Sequence, residues 1–237
     1  MLQVSLGIDV EPDCPPYLAT QYRGVRDGLP RLLDLLDGAG VKTTCFCTGA
    51  VAEQYPTRVA DIVRRGHELG CHGQTHRPFD ALSRNDAERE ISQSTATLRS
   101  FGASVTSFRA PNLRFPDAYL DILEAHDFRV DSSQAKYKAA YYARPAVTSL
   151  RRIPASMTSS VLRLPAWLRD PWLLALKSPV VLFVHPWEFV DLTRERLRLD
   201  CRFKTGEPAL RAIGEVITLF RERGATFTPI SQVDAAA

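Results

Sequence analysis

Two histidines four residues apart, His72 and His76, are the feature of this sequence with the clearest chemistry. They follow the short apolar run Leu69–Cys71, and Gly73 lies between them, so a turn can direct both imidazoles to one point. Two histidines and a carboxylate, with coordination positions left open, form a donor set that suits a catalytic Zn²⁺ or a similar ion. The alternative is two unrelated loop histidines. The motif therefore predicts a metal site that needs a carboxylate from elsewhere in the chain.

A cluster of acidic residues lies where the first apolar run of the sequence ends. Asp9, Glu11 and Asp13 place three carboxylates within five residues. Their mutual repulsion is unfavourable unless a cation or a shared proton relieves it. An acidic turn that caps a helix is the alternative. The cluster is thus a candidate source of the missing metal ligand.

Three more polar residues come directly after apolar runs. Arg109 and Asp131 each follow a short run, and His185 follows the most apolar run of the chain, Val180–Val184. A lone histidine at such a position is usually structural, and Arg109 with Asp131 would ordinarily form a buried ion pair. Their common position at the ends of apolar runs makes all three candidates for a shared site.

Short apolar runs alternate with amphipathic stretches, which predicts parallel strands joined by helices in right-handed crossovers. The polar residues above are spread from residue 9 to residue 185, and a barrel collects the carboxyl ends of all its strands on one face, which an open sheet does not. We therefore predict a single-domain α/β barrel over residues 1–237, with a long irregular insert over residues 132–160. The predicted strands are Leu2–Ile8, Val41–Cys47, Leu69–Cys71, Val105–Phe108, Phe128–Val130, Val161–Leu164, Val180–Val184 and Ala225–Pro229.

The composition is that of an ordinary folded protein and narrows the class of function. Hydrophobic residues make up 45% of the 237 positions and charged residues 24%. The net charge of +3 is small and the arginines are scattered, which argues against nucleic acid as a partner. The sequence shows no signal-peptide pattern, no apolar run of ~18 residues and no zinc-finger spacing of its five cysteines. We therefore expect a cytoplasmic protein with reduced thiols.

The polar motifs, taken in chain order, resemble the five motifs of the NodB-type polysaccharide deacetylases, carbohydrate esterase family 4. The resemblance covers about residue 4 to residue 230, and its strength lies in five motifs in the right order at predicted strand ends. It implies a distorted (β/α)7-type barrel and a single divalent ion. The matching segments are Asp9-Val10-Glu11, His72 to His76, Arg109-Ala110-Pro111, Asp131-Ser132-Ser133 and Leu182 to His185.

The resemblance also implies roles for individual residues. Asp9 would be the general base and His185 the general acid, while Arg109 and Asp131 would orient and tune these two. His72 and His76 would bind the metal. The expected substrate contacts are Leu182, lining a pocket for the acyl methyl group, together with Pro111 and Trp187.

The first motif departs from the common pattern of the family. Most members have two adjacent aspartates, the second of which binds the metal, whereas Val10 follows Asp9 here. The sequence looks like the Asp-x-Asp variant of some members, including the lipid-linked aminoarabinose deformylases, with Glu11 in the metal position. Glu11 is one methylene longer than aspartate, so Asp13 remains the alternative ligand.

The expected function is hydrolysis of an acetyl or formyl group from the nitrogen of an amino sugar. The expected cofactor is one divalent ion, with zinc first and cobalt, nickel or manganese as alternatives. Arg151, Arg152 and tyrosines in the insert suggest an anionic substrate, such as a nucleotide- or lipid-linked sugar. Trp167 and Trp172 are a candidate platform for sugars or for a lipid headgroup at a membrane surface. The alternative is that they belong to a barrel helix packed on its neighbours. The oligomeric state is not indicated.

Two other functions fit the same residues. The first is an amidase acting on a non-sugar amide, such as an allantoin-like ring, because the second adjacent aspartate is missing. The second is a catalytically silent barrel that binds carbohydrate, although Asp9 and His185 are both present. Release of an amine from N-acyl sugars, with and without metal, would separate the three.

Overall fold

A computed structural model describes residues 1–142 and 146–234 of the chain. Within these residues, eight strands and nine α-helices alternate for most of the length. The strands are β1 (Gln3–Val10), β2 (Thr44–Cys47), β3 (Glu68–Cys71), β4 (Ser107–Phe108), β5 (Val130–Asp131), β6 (Arg151–Arg152), β7 (Val180–Val184) and β8 (Thr226–Phe227). The helices are α1 (Leu29–Gly38), α2 (Gly49–Gln54), α3 (Pro56–Arg64), α4 (Arg84–Arg99), α5 (Leu120–Ala125), α6 (Ser159–Leu162), α7 (Ala166–Leu174), α8 (Leu199–Arg202) and α9 (Glu207–Glu222).

All strand pairs are parallel, in the order β6-β5-β4-β3-β2-β1-β7, and β8 pairs with the start of β1. The segment after β6 reaches β7, because the Ser156 amide donates to the Val181 carbonyl at 2.7 Å and Val181 donates to Ser156 Oγ at 2.9 Å. The sheet is therefore curled into a distorted barrel, as predicted. Its parallel strands direct all their carboxyl ends to one face.

The hydrophobic core has two layers, one on each side of the curled sheet. Val4, Leu6, Ile8 and Val10 of β1 belong to the large cluster that packs against the helices. Because side chains alternate along a strand, the odd-numbered residues of β1 face the inside of the barrel. A smaller interior cluster is formed by Phe46, Val130, Ile153, Val181, Ile230 and Val233. This alternation decides which side chains of each strand can reach the site.

Two of the sequence-based element predictions differ from the structure. The predicted strand Val161–Leu164 is instead helix α6 and the turn that follows it. A four-residue apolar run does not by itself distinguish a buried strand from a short helix. The insert contains a strand, β6, whose two arginines gave no apolar signal but whose backbone extends the sheet beside β5.

Helix α7 buries one face and exposes two tryptophans. Leu173 and Arg169 are buried, whereas 78% of the Trp167 surface and 62% of the Trp172 surface are exposed. The packed-helix alternative is therefore wrong for both tryptophans. No helix in the described part of the chain combines the length and apolarity that a membrane span requires.

Candidate metal centre and active site

Glu11, His72 and His76 come together at the carboxyl ends of β1 and β3. Glu11 Oε2 lies 3.3 Å from His72 Nε2 and 2.6 Å from His76 Nε2. One potential ligand atom from each residue lies within 4.8 Å of the others. His76 has a left-handed backbone with φ of 61°, and this turn brings its ring, 5.3 Å from that of His72, back to the site.

The surroundings of this cluster fit a metal ion. His72 Nδ1 lies 2.6 Å from the backbone oxygen of Arg109, so Nδ1–H donates there and Nε2 presents a lone pair to the cluster. Metal-binding histidines are commonly oriented by such a hydrogen bond through their other nitrogen. Glu11 Oε1 accepts from Trp187 Nε1 at 3.2 Å, which leaves Oε2 towards the histidines. Two imidazoles and one carboxylate are the donor set of a catalytic zinc site with an open position.

Asp13, the alternative ligand, lies elsewhere. Its carboxylate accepts backbone N–H bonds from Arg23 and Gly24, both at 2.9 Å, and its side chain is fully buried. These bonds hold the loop that leads into α1. The structure therefore places Glu11, and not Asp13, beside the two histidines.

Asp9 is oriented by a buried arginine. Arg109 Nη1 donates to Asp9 Oδ1 at 2.8 Å, and Nη2 donates to Ser132 Oγ at 3.0 Å. The guanidinium also stacks on the ring of Phe46, 4.3 Å from its centroid. A Cβ atom at Gly7 would lie 2.4 Å from Nη1, so glycine makes room for this arginine inside the barrel. Asp9 thus presents a side chain of fixed orientation to the cavity.

His185 lies across the metal cluster from β3, with its Nε2 3.9 Å from Glu11 Oε1. Its Nδ1 lies 2.8 Å from Glu188 Oε1, and its ring is stacked on Trp187 at 4.8 Å. Burial lowers the pKa of His185, but the charges of Glu11 and of the hydrogen-bonded Glu188 outweigh it and raise the pKa to about 9. The imidazole is therefore protonated at neutral pH and can give up a proton.

One cavity joins these groups. Asp9, Glu11, His76 and His185 all line it. Other lining residues are Asn112, Leu113, Tyr137, Lys138, Phe183 and Trp187. A carboxylate base, a protonated imidazole and a metal-binding cluster on one cavity are the groups that hydrolysis of an amide requires.

Comparison with known proteins identifies the family. The profile described as polysaccharide deacetylase matches residues 11–130, half of the chain. The chain belongs to the polysaccharide deacetylase family. A chitooligosaccharide deacetylase of Sinorhizobium fredii is 36% identical over 84 residues, which are 35% of this chain and 39% of that protein. The chain spans less than half the length of the four curated relatives compared.

Solved structures of the same family share the fold. The family 4 carbohydrate esterase of Streptomyces lividans, in complex with acetate, aligns with a TM-score of 0.68 at 17% identity, over 99% of this chain and 97% of that one. A family 4 pseudoenzyme of Bacillus anthracis aligns with a TM-score of 0.67 at 17% identity, over 98% and 64%. An esterase and a pseudoenzyme both match, so the fold alone does not decide activity.

Two substrate-binding residues expected from the family motifs do not line the cavity. Leu182 is buried in the outer core with Val180 and Val184, which point to the same side of β7. Phe183 faces the cavity instead. Pro111 is buried at the start of a turn, after which Asn112 and Leu113, with left-handed backbones, reach the cavity. The third, Trp187, does line it.

The structural alternative for Arg109 and Asp131, a buried ion pair between them, is not present. The Asp131 carboxylate accepts from Arg152 Nε at 3.0 Å and from the Ser133 amide at 2.9 Å, and it is fully buried. Arg152 also pairs with Asp117 at 2.6 Å. In this chain Arg109 therefore donates to Asp9, and the Asp131 carboxylate is bonded to Arg152 and Ser133 and not to His185.

The arginines expected to bind an anionic substrate are also occupied by the protein itself. Arg151 donates to the backbone oxygens of Ser231 and Val233, at 2.6 and 2.8 Å. Arg152 is engaged as described above. Both side chains fasten the insert to the rest of the barrel, and neither is among the residues that line the cavity.

Glu188 is the functional candidate that sequence analysis missed. It contacts His185 directly, and it follows it by three residues in the segment His185-Pro186-Trp187-Glu188. A glutamate three residues after a helix N-cap residue, with proline at the first helical position, is the pattern of a capping box. That signal could have indicated that Glu188 turns back towards His185.

Proposed function

We propose that this chain is a metal-dependent hydrolase that removes an acetyl or formyl group from the nitrogen of an amino sugar. The observation that carries the proposal is the position of Asp9 and His185 on one cavity with the Glu11–His72–His76 cluster. Membership of the deacetylase family and the chitooligosaccharide deacetylase relative support a sugar amide as the substrate.

Glu11, His72 and His76 would hold one divalent ion, and their donor atoms fit zinc. When bound, such an ion polarises the amide carbonyl and a water molecule, which makes the carbonyl carbon more electrophilic and the water more acidic. Asp9 accepts the proton of the attacking water, and the hydrogen bond from Arg109 holds the Asp9 side chain in its orientation. His185 donates a proton to the leaving nitrogen, which would otherwise depart as a strongly basic amide anion.

The cavity lining suits an N-acetylated saccharide. Among the described residues that line it, Lys138 and Arg163 are cationic in addition to the protonated His185. Lys138 donates to the backbone oxygen of Asn112 at 2.6 Å, and Arg163 pairs with Glu188 at 2.7 Å. The charge of Arg163 is therefore balanced by a carboxylate, whereas Lys138 is held by backbone oxygens and keeps its positive charge. Tyr137 and Trp187 supply the aromatic faces on which sugar rings pack.

We propose a cytoplasmic location as well, because all five cysteines are free thiols in the structure, which suits a reducing compartment.

Release of free amine is the assay that tests the proposed function. The substrates are N-acetylglucosamine oligomers and an N-formyl analogue, each offered to the metal-free and the zinc-loaded protein. Allantoin is tested in parallel by acid release, because opening its ring amide gives a carboxylate and a ureido group but no free amine. We expect zinc-dependent amine release from the N-acyl sugars, and Asp9→Asn should lower it by ~10²–10⁴-fold, the contribution of a positioned general base. Asp61→Asn, on α3 and outside the cavity lining, is the matched control.

If the protein hydrolyses allantoin but none of the N-acyl sugars, its substrate is a ring amide and not a sugar amide. If the metal-loaded protein hydrolyses none of these substrates, the remaining interpretation is a barrel that binds carbohydrate without catalysing a reaction.

A further inference from the structure

His185 is held by a buried carboxylate from its own turn. The chain folds into a short 3-10 helix, Pro186–Phe189, which returns the Glu188 side chain to His185. Glu188 Oε1 lies 2.8 Å from His185 Nδ1 and also accepts the His185 backbone N–H at 3.0 Å. The Glu188 side chain is 1% exposed. The two contacts fix both the position and the rotation of the imidazole.

The other oxygen of the same carboxylate is held by an arginine from a different element. Arg163, directly after α6, places its Nε 2.7 Å from Glu188 Oε2, and its side chain is 2% exposed. Its terminal nitrogens donate to the backbone oxygens of Asp200 and Phe203 around α8. The positive charge offsets the cost of burying the Glu188 carboxylate. The terminal nitrogens of Arg163 are therefore held by backbone oxygens, and its Nε contacts Glu188 and holds that carboxylate against His185.

No other carboxylate is placed to do this on the Nδ1 side of His185 within the described residues. Asp131, which the family motifs suggest, is bound to Arg152 and Ser133. Glu11 lies near the opposite nitrogen, Nε2, at 3.9 Å. Glu188 is thus the carboxylate that determines which nitrogen of His185 faces the cavity.

We propose that Glu188 is the positioning residue for His185 as the proton donor, and that Arg163 holds Glu188 in place. The proposal rests on the proposed function, in which His185 protonates the leaving nitrogen. A hydrogen bond from Nδ1–H to Glu188 keeps Nε2 directed at the substrate and stabilises the protonated ring, as a carboxylate does for the histidine of a catalytic triad. Glu188 itself is not among the residues that line the cavity.

Substrates that differ in leaving group test this role. An N-acetyl sugar needs a proton on its leaving nitrogen, whereas 4-nitrophenyl acetate releases a phenolate that needs none. We expect the isosteric Glu188→Gln to lower kcat for the amide by roughly 10–100-fold, the usual cost of losing an orienting carboxylate, and to leave ester hydrolysis nearly unchanged. His185→Ala should show the same selectivity with a larger loss. The control Glu68→Gln, at the opposite end of β3, should leave the amide-to-ester ratio unchanged.

A magnetic resonance measurement tests the contact between His185 and Glu188 independently of catalytic activity. The proton on His185 Nδ1 should give a downfield imidazole N–H resonance, identified by its absence in His185→Ala. Glu188→Gln should shift this resonance upfield, and Glu68→Gln should not move it.

An unmoved resonance, or an equal loss of amide and ester hydrolysis in Glu188→Gln, would overturn the proposed role of Glu188. A different result would count against the proposed function alone. In that case His185→Ala would still hydrolyse the amide fully, although the wild type shows the resonance that depends on Glu188. The two failures are therefore distinguishable.

Discussion

Glu11 belongs to the candidate metal centre and also lies near His185. Its carboxylate contacts both histidines of the cluster and Trp187, and lies 3.9 Å from His185. Burial raises the pKa of Glu11, but the charges of His76 and His185 and the histidine hydrogen bonds lower it well below its usual range. Alternation along β1 explains why Val10 separates the two acidic residues. Asp9 and Glu11 reach the site, while Val10 packs in the outer core.

The first prediction separates Glu11 from Asp13 as metal ligand. Glu11→Gln removes the anionic donor, so zinc affinity measured by calorimetric titration should fall by more than the roughly 10–100-fold of an outer-sphere change. Asp13→Asn should keep the affinity. It should instead lower the free energy of unfolding by about 1–3 kcal/mol, because two backbone N–H groups lose a charged acceptor. The reverse pattern, metal lost in Asp13→Asn alone, would reassign the ligand.

The second prediction concerns His67, a buried histidine before β3 at the end of the barrel opposite the site. Burial and the charge of Lys42 lower its pKa from 6.5 to about 4. Below pH 6.5 the unfolded chain binds a proton at His67 that the folded chain does not accept until about pH 4. The contribution of His67 to the free energy of unfolding is therefore complete above pH 6.5 and is lost as the pH falls towards 4. At about 1.4 kcal/mol per pKa unit, a difference of about 2.5 units corresponds to a loss of at most about 3.5 kcal/mol.

Urea unfolding at a series of pH values measures the effect of His67. His67→Asn keeps an acceptor for the Thr43 amide but cannot titrate. Its stability should therefore fall less steeply between pH 6.5 and 4 than that of the wild type. Parallel curves for the two proteins would contradict the assignment to His67.

At the scale of the elements, strand ends were the features most accessible from sequence. Polar residues after apolar runs placed Asp9, His72 and His185 at one end of the sheet, because the carboxyl ends of parallel strands share an edge. Partners distant in sequence gave no such signal. Arg152, rather than Arg109, pairs with Asp131, and that choice depends on β6, a strand of two arginines that only its backbone pairing reveals.

The third prediction uses the two faces of β7. Leu182→Ala empties part of the outer core, so it should lower the free energy of unfolding by about 2–5 kcal/mol and leave KM of the folded fraction unchanged. Phe183→Ala removes an aromatic wall of the cavity and should raise KM for an N-acetyl sugar. Kinetics corrected for the folded fraction decide between them. A raised KM in Leu182→Ala with none in Phe183→Ala would restore Leu182 as the substrate contact.

At the scale of the whole molecule, closure of the sheet brings residues 9 to 185 around one cavity. The alternation of strands and helices predicts this barrel, whereas the bonds between Ser156 and Val181 that join its ends lie in an insert without periodicity. The exposure of Trp167 and Trp172 was equally inaccessible, since a tryptophan in an amphipathic helix suits either face. Sequence therefore defines the framework and the strand-end residues, and the folded chain defines their partners.

We propose that amide hydrolysis by this chain depends on one metal ion held by Glu11, His72 and His76. The most direct measurement titrates zinc into the metal-free protein while amine release from an N-acetylglucosamine oligomer is followed. We expect activity to rise linearly and to stop rising at about one equivalent of zinc per chain, and we expect His76→Ala to show no such rise. Full activity in the metal-free protein, or an unchanged titration in His76→Ala, would contradict it.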